Sequence, residues 1–256
     1  MKILVCVKQV PETNEVKLGA DYTLQREFTA QSLNLADESA LELGLVLRDA
    51  CGGTVTVMTM GPASAEGMLR ELIARGADDA VLLNDPAFAG ADTLATARTL
   101  KAAHDKLGGF DLVLCGRRAS DGETGQVGPM LASLLDIPCV ANATDVRIRN
   151  DDGSPATMEI DQLLENGVQT WRCRLPAVAT FCEWSRRLRL PTIAGLRAAG
   201  RVDIHRLTRP DLELPADYCG LAGSPTRVIR VSAKPAGLRQ CEKLTVEALL
   251  AKGVLG

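Results

Sequence analysis

The first half of the chain alternates short apolar, β-branched runs with longer helix-patterned stretches, and that alternation leaves few architectures open. Ile3 to Val7, Thr54 to Met60, Ala80 to Leu83 and Leu112 to Cys115 read as strands. Between them Asp37 to Arg48, Ser64 to Ala74 and Asp92 to Leu107 read as helices, and Val127 to Leu135 as a fourth. Gly61-Pro62, Gly76 and Gly108-Gly109 supply the stops. Strands that are apolar throughout, rather than alternating, expect cover on both faces. Joined by helices, they imply an α/β doubly wound, mostly parallel, Rossmann-like sheet. The ligand crevice of such a sheet lies beyond the carboxyl ends of its strands.

The pattern changes after Pro138. Val146 to Arg149, Met158 to Gln162, Trp171 to Arg174 and Val178 to Phe181 read as short strands of a β-hairpin or meander, with turns at Asp151 to Pro155 and Glu165-Asn166-Gly167. From about Pro191 periodicity fades. Leu212 to Pro235 reads as an extended arm and Leu244 to Ala251 as a terminal helix. Such a long irregular tail is unusual in a compact domain; a floppy tail and an arm wrapping another subunit both account for it. We therefore divide the chain at 1–189, a nucleotide-binding α/β domain with the late hairpin strands, and 190–256, a docking loop and C-terminal arm.

Composition narrows the partners. Over 256 residues the net charge is −3, which gives no basic excess for nucleic acid. Arg186, Arg187 and Arg189 form a local patch, read either as solvated surface or as a partner contact. The opening apolar run is too short to span a membrane and lacks signal-peptide architecture, so a cytoplasmic, reduced chain is expected. Its eight cysteines include no C-x-x-C pair, and no metal site is expected. The two histidines, His104 and His205, have no catalytic partner at a recognisable spacing. His104 reads as solvated. No catalytic residue is assigned, as suits a protein whose chemistry belongs to a cofactor.

The stretch Leu112 to Pro129 is the most informative. A buried strand ends at Gly116, a loop of Arg117, Arg118, Ala119, Ser120, Asp121, Gly122, Glu123, Thr124 and Gly125 follows, and a helix starts near Gln126 and Val127. Free N–H groups at a helix start bind phosphate, and glycines let backbone approach it. Ser120 and Thr124 offer hydroxyls, Arg117 charge. The spacing is neither Walker nor Gly-x-Gly-x-x-Gly. The bland alternative is a strand–loop–helix turn capped by Asp121 or Thr124. Two other strand ends aim at the same crevice: Cys6-Val7-Lys8, and Met60-Gly61-Pro62. Asn34 precedes the acidic start Asp37-Glu38, as a cap or as a ligand contact.

Met1 to Pro11, Asn34 to Ala40, Met60-Gly61-Pro62, Arg75 to Asp78, Gly116 to Gly128, and Glu165 through Leu175 to Thr180 together resemble the beta subunit of electron transfer flavoproteins, over essentially the whole chain. The resemblance implies a heterodimer with an alpha subunit that carries FAD, and a second nucleotide in the beta subunit: FAD in the electron-bifurcating type, AMP in the other. Carried over by position, the nucleotide contacts are Cys6, Asn34, Leu35, Ala36, Asp37, Met60 and Gly116 to Val127, with Val7 and Lys8 at the first strand's end. Leu190, in Leu190-Pro191-Thr192-Ile193, falls on the leucine that docks a partner dehydrogenase.

Phe88 to Thr96, Val10 to Thr13 and Ala222 to Thr226 resemble bifurcating members, which adds Asp92, Thr93 and Thr96 to the cofactor contacts and favours FAD over AMP. In that type the beta FAD takes a hydride from NADH, passing one electron to a ferredoxin or flavodoxin and the other, through the alpha FAD, to an acyl-CoA dehydrogenase. The chain departs from the family pattern at Gln162 (usually arginine), at Asn34-Leu35-Ala36 (usually Asn-Pro), at Gly125 (usually alanine in bifurcating members) and in the lysine-poor stretch Leu196 to Arg201. Two other classes bind nucleotides on such a sheet: a non-redox module like universal stress proteins, and an adenylating enzyme, whose Ser-Gly-Gly-x-Asp-Ser loop is absent here.

Overall fold

The structure, a computed structural model, describes residues 1–12, 31–149, 157–229 and 244–252. Its centre is a nine-stranded sheet in the order β11-β5-β4-β1-β6-β10-β7-β8-β9. The strands are β1 (Lys2–Cys6), β4 (Thr54–Met60), β5 (Asp79–Leu83), β6 (Leu112–Gly116), β7 (Cys139–Arg149), β8 (Thr157–Leu164), β9 (Gly167–Arg174), β10 (Ala177–Phe181) and β11 (His205–Leu207). From β11 to β7 every neighbouring pair is parallel; β8 and β9 run antiparallel at the far edge. A separate two-stranded ribbon pairs β2 (Gln9–Pro11) with β3 (Gln31–Leu33).

Alternate residues of the parallel strands feed two cores. Ile3, Val5, Val57, Leu82 and Leu114 pack on one face with Leu41, Leu45, Leu69 and Leu72. Those leucines belong to α1 (Leu35–Cys51) and α2 (Glu66–Ala74). Leu4, Cys6, Met58, Val81 and Val113 pack on the other face with Leu100 and Leu131, which belong to α3 (Thr93–Lys106) and α4 (Val127–Leu135). Burying both faces is what runs without polar alternation require, and each fully buried leucine contributes roughly 1.5–3 kcal/mol. The expected doubly wound α/β fold is therefore present.

Local signals explain the helix limits. Asp37 and Glu38 complement the α1 dipole, and Gly52 ends the helix at φ 75° with its N–H on Arg48 O. Gly44 lets α1 approach the sheet: a Cβ there would lie 3.3 Å from both Leu114 and Val5.

Three features differ from the sequence expectation. Val178 to Phe181 is not part of the meander: β10 is buried along its whole length between β6 and β7, parallel to both. The meander is β7–β8–β9 alone, and its expected turn at 151–155 lies outside the described residues. Residues 205–207 add β11 to the β5 edge, and α5 (Ile193–Ala199) packs on α2, where Gly195 leaves no room for a Cβ (2.1 Å from Ala74 O). Residues 212–224, expected as part of an extended arm, fold largely into turns; 230–235 lie outside the described residues, as does Thr13. α6 (Val246–Ala251) follows the expected terminal helix.

His104 is buried rather than solvated. The Gly108-Gly109 turn folds the chain back, so that Phe110 N–H donates to His104 Nε2 (3.3 Å) and the two rings sit 5.6 Å apart. Among the described residues no helix is long and apolar enough to cross a membrane.

Candidate functional site

The strand order places the switch point between β1 and β6: β4 and β5 follow on one side of β1, and β6 stands on the other. In register, Cys6 faces Cys115, so both strands end together. The chain beyond them is Val7-Lys8 on one side and the 117–126 loop on the other. The crevice rule for open α/β sheets points here.

Two side chains of the β3–α1 junction hold these ends. Asp37 is 5% exposed; its Oδ2 accepts the Lys8 N–H at 2.7 Å and its Oδ1 the Gly116 N–H at 3.0 Å. One carboxylate thus bridges the two strand ends. Burial pushes its pKa up to about 7, despite the hydrogen bonds from Asn34, Lys8 and Gly116 and the Lys8 charge that favour ionisation. Asn34 makes no side-chain cap for α1. Its Nδ2 donates to Arg118 O (2.9 Å) and its Oδ1 accepts the Ser120 N–H (3.2 Å), while its own N–H donates to Lys8 O (3.0 Å). The cap read for Asn34 from sequence is therefore absent; its side chain clamps a loop 84 residues away. Gly116 is required by the same close approach, because a Cβ would fall 2.2 Å from Asp37 Oδ1 and 2.8 Å from Ala36.

The loop itself is pinned beneath and open above. Lys8 Nζ pairs with Asp121 Oδ1 at 2.6 Å, with the Asp121 side chain nearly buried. Arg117 and Arg118 both pair with Glu183, at 2.7 and 3.0 Å, so the guanidinium expected to serve a phosphate is shared with a carboxylate from the end of β10. Glu183 had no motif to mark it; its role depends on β10 lying beside β6. Ala119 O accepts from Glu123 N–H, and Glu123 and Gly125 adopt left-handed φ of 50° and 63°. Ser120, Gly122, Glu123, Thr124, Gly125 and Gln126 are exposed. Gln126 stands at the N-cap position of α4 and gives it no side-chain cap. A Cβ at Gly122 would meet no protein atom within 4 Å.

The remaining expected residues border the same edge. Met60 ends β4, two residues past the Met58 that pairs with Cys6, and is half-buried. Leu35 is exposed and Ala36 buried at the start of α1. Thr93 Oγ1 donates to Gln126 Oε1 (3.0 Å), which joins the first turn of α3 to that of α4; Thr96 lies one turn on. Gln162 spans the meander: it donates to Ala141 O (2.9 Å) and accepts from Trp171 Nε1 (2.7 Å). Leu190 stands apart, 74% exposed, on a loop anchored by Arg189 to Glu42 and Asp49 and by Arg75 to the Arg189 carbonyl.

These residues can hold a phosphate-bearing cofactor. The crevice ends in an uncapped helix start preceded by a glycine-bearing loop, whose amides and hydroxyls lie on the exposed side while buried side chains fix its base. Residues 22–212 match the electron transfer flavoprotein domain. The chain belongs to the electron transfer flavoprotein family. It is 43% identical over 234 residues to the electron transfer flavoprotein subunit beta of Thermoanaerobacterium thermosaccharolyticum, covering 91% of this chain and 88% of that one. It is 42% identical to the caffeyl-CoA reductase-Etf complex subunit CarD of Acetobacterium woodii (92% and 89% covered). A third relative, the acryloyl-CoA reductase electron transfer subunit gamma of Anaerotignum propionicum, is 39% identical (92% and 89%). Within the electron transfer flavoprotein family, its similarity thus extends to proteins named as beta subunits.

Proposed function

We propose that the chain is the beta subunit of a heterodimeric electron transfer flavoprotein of the cytoplasm, holding FAD, with AMP as the alternative, over the loop after β6. The observation that carries this reading is the doubly clamped loop: Asp37 and Asn34 hold its base, and Gly122 to Val127 face outward at an uncapped helix start. A bound FAD supplies two-electron and one-electron redox chemistry; the residues of this chain bind and orient it. Backbone amides of Thr124 to Val127, with the hydroxyls of Ser120 and Thr124, meet its phosphates. Cys6, Val7, Lys8, Leu35 and Met60 line the adenosine end.

NADH is the proposed electron donor in a bifurcating complex. The proposed partners are an alpha subunit, an acyl-CoA dehydrogenase-type flavoenzyme engaged through Leu190, and a ferredoxin or flavodoxin. Residues 190–256 carry the docking loop and the arm toward the alpha subunit. The names of the caffeyl-CoA reductase and acryloyl-CoA reductase relatives support a partner that reduces an acyl-CoA.

The test is to produce the chain with its alpha partner and count the flavins. Two flavins per heterodimer support FAD in this site; one flavin and one AMP support the alternative. Gly122→Val and Asp121→Ala are expected to release the nucleotide of this chain. Because a Cβ at Gly122 meets open space, its loss reports the ligand and not the fold. Unchanged cofactor content in both variants refutes the site.

A further inference from the structure

An exposed apolar patch is held in place by a network of charge. Leu190 and Ile193 are each 74% exposed and Leu196 58%, close together around the start of α5. Loops that carry such side chains are ordinarily mobile. Here the residue before Leu190 has each of its polar atoms bonded to the helices beneath. The Arg189 N–H donates to Glu42 Oε2 at 2.9 Å. Its Nε donates to both Glu42 oxygens at 3.1 Å and its Nη2 to Oε1 at 2.9 Å. Its Nη1 reaches Asp49 Oδ2 at 2.8 Å. Its carbonyl accepts from Arg75 Nη1 at 2.9 Å, and Arg75 is itself held by Glu71 at 2.6 Å.

Glu42 and Asp49 are two turns apart on one face of α1, and Ser39 lies one turn before Glu42 on the same side. The chain from β10 runs along that face. Arg186 and Ser39 exchange two hydrogen bonds, from the Ser39 hydroxyl to Arg186 O (3.2 Å) and from the Arg186 N–H to Ser39 Oγ (3.3 Å), and Leu188 is buried. Arg189, with Arg48, holds the Asp49 carboxyl below the usual carboxylate range. The Glu42 side chain is only 12% exposed, so its carboxylate needs the guanidinium, and the guanidinium's planar fork is what meets both of its oxygens.

Beyond Leu190 the chain is fixed again. The Thr192 N–H donates to Ala74 O at 3.4 Å, its hydroxyl accepts the Gly195 N–H at 2.9 Å, and Gly195 sits directly against Ala74. Leu190 and Pro191 thus cross between one point held on α1 and another held on α2, and the proline ring sets its own φ. A partner that binds a mobile loop must order it, at a cost in affinity; a loop ordered beforehand avoids that cost.

We propose that Glu42 is a positioning residue for partner docking, which acts through Arg189 to hold Leu190 in the conformation that a partner flavoenzyme binds; this rests on the docking reading of Leu190. The test uses the heterodimer with its acyl-CoA dehydrogenase as the electron partner. It reads KM for the heterodimer and kcat, with the flavin content and thermal melt of each variant. Glu42→Gln and Arg189→Lys are each expected to raise KM on the order of tenfold, the scale of a residue regaining backbone freedom. Both are expected to leave kcat within about twofold. In a Leu190→Ala background, where no side chain remains to be presented, Glu42→Gln is expected to add less than about twofold to KM. A merely structural role would leave its effect there undiminished. Full additivity with Leu190→Ala, or an unchanged KM in Glu42→Gln alone, overturns the clamp. If Glu42→Gln melts early, Arg189→Lys, which keeps the charge and loses the fork, decides by the same outcomes. A Leu190→Ala variant with the parent's KM overturns the docking reading, and the clamp with it, before Glu42 is touched.

Discussion

The middle of the sheet and its antiparallel edge are held together by opposite means. At the ends of β1 and β6 two buried side chains reach backbone: Asp37 two N–H groups, Asn34 a carbonyl and an N–H. At the β7–β9 edge they are side chains meeting side chains near solvent. Glu159 lies between Arg149 (3.0 Å) and Arg172 (2.5 Å), and Asp161 takes Arg147 (3.0 Å) and the Thr170 hydroxyl (2.7 Å). β9 is exposed along nearly its whole length. Removing a buried partner strands a donor at its full desolvation cost; breaking an edge pair returns an already exposed guanidinium to water. Position in the sheet, more than the number of bonds, sets what a polar residue is worth.

The contrast is broken or sharpened by substitutions, in falling order of effect. Gly116→Val drives a side chain into Asp37 and Ala36 and is expected to cost about 3 kcal/mol in chemical denaturation, with loss of the nucleotide. Asp37→Ala leaves the Lys8 and Gly116 N–H groups without their acceptor and is expected to cost roughly 1–3 kcal/mol. Leu190→Ala, on an exposed side chain, is expected to stay within about 0.5 kcal/mol in stability while weakening dehydrogenase binding in a pull-down or kinetic assay. Glu159→Gln at the exposed edge is expected to move the melting temperature by no more than about 3 °C, and less at high salt. A Glu159→Gln effect equal to that of Asp37→Ala would end the contrast.

Acidity sharpens it further. Asp37 titrates near 7 in the folded chain, against 3.8 as its ordinary value. Between those values the folded state binds more protons than the unfolded one, so this group's contribution to stability falls as pH rises from about 4 to about 7 and is level outside that window. Asp37→Asn, which cannot ionise, removes that slope. Denaturation curves of the two proteins at pH 5 and pH 8 check it: the deficit of the variant is expected to shrink at the higher pH.

Much of this was readable in the chain. Thr54–Met60 and Val127–Leu135 have the limits that their apolar patterns and flanking residues predict, because both strand and helix periods are local. β2, β3, β11 and α5 were not readable. They are three to seven residues long, too short for either period to show, and the three strands form only by pairing with distant partners. His104 looked solvated because the Phe110 that covers it arrives by a turn, not by helical spacing. The glycine-rich segment 116–125 could be singled out from residue type alone, whereas Glu183 could not.

Sequence alone determined the layers: continuous apolar strands between amphipathic helices must be covered on both faces, as in a doubly wound sheet. It also determined which loop is rich in amides and hydroxyls. Tertiary structure alone decided what holds that loop. Lys8, Asn34, Asp37, Gly116 and Ser120 come from three separate stretches, and Asp92 meets Thr226 across 134 residues. Side-chain periodicity carries no information about such meetings. They follow from strand order, which places the ends of β1 and β6 side by side and leaves the polar groups there to find one another.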